Sequence, residues 1–430
     1  MTIKTVCKLT SAVLFLAILP GTARAQTNRV VENGVVYSYV SNTGEWVVSG
    51  IDYETLPYNG VITIKSSVSV EVFPGEPPVK YPVTSIVDDA FKDEEVLKGV
   101  NFEEGIKSIG TNALKGCTGI TTLTLPSTIV NVGEGAFACG DNLRWIDARN
   151  VGEDWKEELV YGNYILKTPG DMGVPLFTLL YMPTWWTAND KNIVVTDATT
   201  QERSCSKFSF SSEMDYNVPW GFTAEQVINT RTLPMDDGAY TICLPYDLGI
   251  PDNAKVYVLM ETDVPEGDRV VFTQVVGTLD KGMPYLVKAD GDVSLNSEIP
   301  SQILSTEEAQ TSSMTVAGIT INGTFSNITH ADAANMGAYV LQAENRWVSV
   351  SKRSEAVYVP PYRAYITMEG FMANGFSISF SDSIDDIRLL PDGTAVIDGG
   401  TWYTLQGVQL PSQPHTPGVY VHQGRKYVVK

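Results

Sequence analysis

Three aromatic side chains open the search for chemistry. Trp145 lies in "RWIDA" and the pair Trp185 and Trp186 in "TWW". A tryptophan that reaches solvent suits the apolar face of a sugar or the centre of a protein contact. Paired tryptophans are equally at home in a core. Beside Trp145, the polar residues Asn101, Thr122, Thr124 and Asp147 fall at alternate positions of short apolar runs. They are hydrogen-bonding groups suited to binding. The usual catalytic patterns are missing. The histidines, His330, His415 and His422, have no metal-ligand spacing, so zinc is not expected. There is no G-x-S-x-G, no phosphate-binding glycine loop and no H-E-x-x-H. Fifty acidic residues offer many chance pairs of glycosidase type, but they concentrate in turn-like stretches such as "FKDEEVL" and "LPMDDG". No catalytic residue, metal or cofactor is expected.

The elements that must carry these residues emerge from self-comparison. In "VTSIVDDAFKDEEVLKGVNFEEG", "IKSIGTNALKGCTGITTLTLPST" and "IVNVGEGAFACGDNLRWIDARN", apolar or small residues recur every 23 positions. The columns are Ile86/Ile109/Val132, Ala90/Ala113/Ala136, Phe91/Leu114/Phe137, Leu97/Ile120/Leu143 and Val100/Leu123/Ile146. A period of this length predicts stacked coils, because one coil alone cannot bury its apolar side. "KGVNF", "TTLTL" and "RWIDA" alternate and read as short strands. The acidic "KDEEVLKG" would suit a helix. Its counterpart one period later, "KGCTGITT", would not, so both are read as turns. Gly99, Thr122 and Trp145 then form one outward ladder, and Asn101, Thr124 and Asp147 the next. Cys117 and Cys139 fall in adjacent coils, roughly 5 Å apart. That spacing allows a disulfide, and the alternative is two buried thiols.

These residues carry a resemblance. "YPVTSIVDDAF", "IKSIGTNALKGCTGITTLTLPSTI" and "GEGAFACGDNLRWI" resemble BspA-type leucine-rich repeats of Bacteroidetes surface and secreted proteins. Val87 stands where that pattern has glycine, Leu114 where it has Phe, and the first coil lacks the cysteine. The resemblance implies adhesion to extracellular proteins. "TICLPYDL", "GMPYLVKA" and "PYRAYITM" are similar to a β-domain that comes after such repeats. The end, "WYTLQGVQLPSQPHTPGVYVHQGRKYVVK", is similar to C-terminal tails of exported Bacteroidetes proteins, some of which are sorting signals for type IX secretion. The alternative is a plain terminal hairpin. Asp382-Ser383-Ile384 resembles a Bacteroides O-glycosylation motif, a match that chance also supplies.

These signals divide the chain. Residues 1–25 read as a secretory signal peptide, with a basic start, the apolar "LTSAVLFLAILPG" and a small-x-small ending at Ala25. Residues 26–80 read as an N-terminal β cap, with Asn-Gly and Thr-Gly turns between alternating runs. The repeats take 81–150, a repeat cap and linker 151–214, a β-sandwich-like domain 215–385 and a small β tail 386–430. The expected class is mainly β. The chain of 430 residues has a formal charge of −20, more negative still once Lys4, Lys8 and Arg24 leave with the leader. Such a surface opposes nucleic acid and anionic membranes. No later run is long enough to insert in a bilayer. The expectation is a secreted or cell-surface, non-catalytic protein whose repeat face engages an extracellular protein or glycan. A polysaccharide-binding accessory protein or carbohydrate-active enzyme, and a structural surface or filament component, stand as alternatives.

Overall fold

The computed structural model describes residues 28–73, 75–155, 171–186, 191–235, 238–262, 269–316, 318–342, 345–353, 357–368 and 375–381, and the strands within 387–429. The expected leader and the segment Asp382-Ser383-Ile384 lie outside the described residues. Strands are the dominant regular structure of the described residues, joined by turns.

The 23-residue period becomes parallel pairing. Ser85 and Ile86 pair with Ser108 and Ile109, which pair in turn with Asn131 and Val132. On the opposite side of each coil, Thr122, Leu123 and Thr124 pair with Trp145, Ile146 and Asp147. Residues one period apart are therefore direct neighbours. Side chains add stitches at the same spacing. Thr111 N–H donates to Asp88, Ser127 N–H to Glu104, and Asn131 to Ser108.

All five inward columns point into one core, and only Ala90 is more than marginally exposed. Phe91, Leu114 and Phe137 are fully buried at its centre. Truncating one of the phenylalanines to Ala would cost about 3–5 kcal/mol. The acidic segment after Val87 forms turns, with Asp89 and Asp93 at positive φ. The column that begins with Val87 continues with Gly110 and Gly133, and a contact explains the difference. A Cβ on Gly110 would come within 2.5 Å of the Asp88 backbone nitrogen, and one on Gly133 within 2.3 Å of Thr111 N. Each glycine abuts the coil before it. Val87 has no earlier coil, only the strand Glu45–Ile51, where its N–H reaches Val48 O.

The stack is continuous at both ends. Strand Glu45–Ile51 closes a meander with Arg29–Glu32 and Val35–Val40, and pairs in parallel with the first coil strand, Val79–Ile86. At the other end Trp145–Asp147 pairs with Leu179–Tyr181, which pairs with Ile193–Thr196. That sheet runs on through Arg203–Phe210 and Phe222–Asn229 to Ser301–Ile303. Strands inside the expected cap and linker, 151–214, thus carry the repeat sheet into the next unit.

That unit contains a ten-stranded mixed sheet built from strands between Ala239 and Ser381. A second core, including Phe208, Phe222, Phe272, Trp347 and Phe376, fills it. A short α-helix, His330–Asn335, interrupts the β pattern, capped by Thr329 accepting from Asp332 N–H. In the tail, Gln409–Leu410, Trp402–Thr404, Gly418–His422 and Arg425–Val429 form an antiparallel four-stranded sheet.

Candidate binding surface

The outward side of the coil strands is built by alternation. Because Val100, Leu123 and Ile146 point inward, their neighbours point out. The first rungs are open. Thr63, paired with Asn101, is exposed, and so are Asn101 and Thr124; Thr122 is half-buried. These rungs offer hydroxyl and amide groups and carry no charge.

The last rung differs from the sequence expectation that it faces solvent. Asp147 is 6% exposed. Its carboxylate accepts from Arg149 Nε at 2.8 Å and from Nη2 at 2.9 Å, a two-pronged ion pair. The Arg149 guanidinium in turn lies 3.5 Å from the centre of the Trp220 ring. Trp145 is half-buried and meets Trp220 edge-on, with ring centres 5.6 Å apart. Tyr181 completes the cluster, its hydroxyl donating to Trp220 O at 2.8 Å. The physical reason for the correction is that the loop before Phe222 folds back over the strand end, so the ladder closes at its third coil. Arg149, Tyr181 and Trp220 are not singled out by the sequence. Nothing local links them, because Trp220 is brought to Trp145 by the long excursion through three intervening strands.

Trp185 and Trp186 form a different structure. Both are half-buried against the repeat core. Trp185 Nε1 donates to Val151 O at 2.9 Å, and Trp186 packs against the buried Trp155, ring centres 6.3 Å apart. The pair therefore ties the chain back onto the end of the third coil.

The thiols answer the disulfide question. Cys117, Cys139, Cys205 and Cys243 are buried, and Cys117 and Cys139 are not joined in a disulfide. Cys117 Sγ lies 2.9 Å from Phe91 O, and burial pushes the Cys117 and Cys139 thiols up to about 12. They serve as small apolar fillers with the thiol form favoured. Among the described residues no group of three or more His, Cys, Asp or Glu side chains is placed to hold a metal ion. His330 Nδ1 sits 2.9 Å from Val357 O. No described helix is long and apolar enough to cross a membrane.

The parallel stack, with leucine-type columns every 23 residues, defines a mainly β repeat protein. Residues 78–166 match the model of the BspA type leucine-rich repeat region, in six copies. The chain thus carries BspA-type leucine-rich repeats, in a block somewhat longer than the three coils read from its columns. No curated protein matches the chain. Among solved structures it is similar to a leucine-rich repeat protein from Bacteroides capillosus, at 16% identity over 28% of this chain and 97% of that one, TM-score 0.22. A leucine-rich repeat protein from Bacteroides ovatus is 18% identical over 28% of this chain and 32% of its own, TM-score 0.22. A leucine rich cell surface protein from Faecalibacterium prausnitzii is 13% identical over 43% of this chain and 64% of its own, TM-score 0.18. This chain thus spans less than two thirds of the latter two.

Proposed function

We propose that the protein is a non-catalytic, secreted or cell-surface binding protein whose open repeat rungs engage an extracellular protein or a glycan. The observation that carries this reading is the exposed row Thr63, Asn101 and Thr124, neutral hydrogen-bonding groups on strands fixed by a close-packed core. A rigid platform loses little conformational entropy on binding. The uncharged row within a chain of net charge −20 favours a ligand that is neutral where it touches the rungs. The BspA-type block supports an adhesion-type role at the cell surface.

Screening the chain without its leader (residues 26–430) against glycans and extracellular matrix proteins tests this. Asn101→Arg and Thr124→Arg, which place bulk and charge on the rungs, are expected to weaken a bound ligand at least roughly tenfold. Trp186→Ala, at the far end of the stack, is expected to leave it bound. Binding indifferent to both rung substitutions overturns the assignment to this face. Hydrolysis of a polysaccharide overturns the non-catalytic reading, and concentration-dependent fibres would transfer support to a structural surface component.

A further inference from the structure

A cleft in the ten-stranded unit brings two cationic side chains to one space. Its volume is about 190 Å³, and Arg231 and Arg363 are the charged side chains that line it among the described residues. Arg231 comes just after the strand Phe222–Asn229 and Arg363 opens the strand Arg363–Met368, so two separate elements aim guanidiniums at one space. Arg231 Nη1 donates to Thr241 O at 3.0 Å. Arg363 donates to Pro361 O at 3.1 Å and meets Glu213 at 3.4 Å. Glu213 is 65% exposed, a weak and solvent-screened counter-charge. A guanidinium carries five N–H donors, so among the described residues these bonds engage only part of each fork.

Arg149 is the internal standard. It gives two parallel bonds to one carboxylate and stacks on Trp220. Among the described residues Arg231 makes no such two-pronged carboxylate pair and meets the Tyr240 ring only at 6.0 Å, and its burial, then the nearness of Arg363, disfavours its charged form. Arg363 is disfavoured in the same direction, again first by burial. Two guanidiniums held together in a partly desolvated cleft are stabilised by an anion placed between them.

The cleft also limits what that anion is. A volume of about 190 Å³ has room for one ring. Tyr240, whose ring centre lies 6.0 Å from the Arg231 guanidinium carbon, and Tyr358, 52% exposed, supply amphipathic aromatic walls. The acidity of the whole chain repels polyanions such as acidic peptides. A planar, bidentate acceptor matches the guanidinium fork.

We propose that this cleft is a second binding site, which takes a single carboxylate carried on a body the size of one sugar ring, the chemistry of a hexuronic acid. The site lies apart from the repeat rungs, so either can fail without the other.

Calorimetric titration of residues 26–430 with sodium glucuronate, glucose, phosphate and a short polyglutamate peptide tests it. Glucuronate is expected to bind, and glucose at least roughly tenfold more weakly, reflecting the charge-assisted bonds it cannot make. Arg231→Gln and Arg363→Gln are each expected to weaken glucuronate by a similar factor. Glu213→Gln removes the competing carboxylate from an exposed position, and is expected to tighten binding by roughly threefold. That gain cannot come from misfolding. No heat with any probe into the millimolar range, glucose as tight as glucuronate, or phosphate or the peptide tighter than glucuronate, overturns the proposal. So does glucuronate binding that is unchanged in all three variants.

Discussion

Thr124 and Asp147 sit side by side on paired strands, one period apart, yet they live in different surroundings. Thr124 is open to solvent, whereas Asp147 is buried under a salt bridge and an indole ring. The backbone of the two rungs is the same, and the difference lies in the chain on their far side. Beyond Thr124 comes another coil. Beyond Asp147 the sheet leaves the repeat, and the loop carrying Trp220 returns over its end. A repeat therefore specifies where side chains point, and the flanking chain decides which of them remain available. The closed rung joins the two units, and the open rungs keep their hydroxyl and amide groups exposed.

The largest expected effect breaks the closed rung. Arg149→Ala leaves the Asp147 carboxylate buried and unpaired, at a cost of about 3 kcal/mol. Asp147→Thr added to Arg149→Ala turns the closed rung toward the composition of Thr124 and is expected to recover most of that loss. Denaturant unfolding of the two singles and the double measures the coupling, and simple additivity would show that the ion pair does not hold the rung. Next in size is Trp220→Ala, which removes a half-buried ring touching Trp145, Tyr181 and Arg149. A loss of about 2 kcal/mol is expected, smaller than for a fully enclosed tryptophan. Quenching of Trp145 fluorescence by acrylamide, taken as the difference from a Trp145→Phe background, should rise if the cover is gone. Unchanged quenching would mean that Trp145 is shielded by something else.

These contrasts also mark how much is legible in the sequence. The columns of Ile109, Ala113, Leu114, Ile120 and Leu123 are buried because coil stacking is a local and repeated demand that each period restates. Alternation places the strands at Gly99–Phe102, Thr122–Thr124 and Trp145–Asp147. The repeat also tells against a helix in the acidic segment. The pattern misplaces Asp147 because its burial depends on Arg149, two residues on, and on Trp220, far along the chain, and no period relates them. The cleft of Arg231 and Arg363 is invisible for the same reason, its two arginines arriving from segments more than a hundred positions apart. The helix at His330 escapes because six residues are too few to show a 3.6-residue pattern, although Thr329 and Asp332 are a capping pair.

The smallest effect sharpens the contrast from the open side, where coils are stitched by exposed bonds and not by a buried ion pair. Glu104 reaches one period forward, accepting from Ser127 N–H at 3.0 Å and from its hydroxyl at 2.7 Å. These bonds, the backbone one foremost, hold the Glu104 carboxyl below its ordinary value of 4.5. A carboxyl depressed in the folded state adds stability above its unfolded value and loses it as pH falls through the folded one. The stitch should therefore contribute fully near neutrality and fade at acid pH, starting from about 4.5 downward. Because Glu104 is exposed, less than about 1 kcal/mol is at stake. Glu104→Gln is expected to flatten the acid limb of the stability curve, measured as the urea midpoint between neutrality and about pH 3, while Arg149→Ala should lower that curve at neutral pH by the larger amount. An acid limb equally steep with Gln at position 104 would show that the stitch is geometric only, and that the open coils rest on their apolar columns alone.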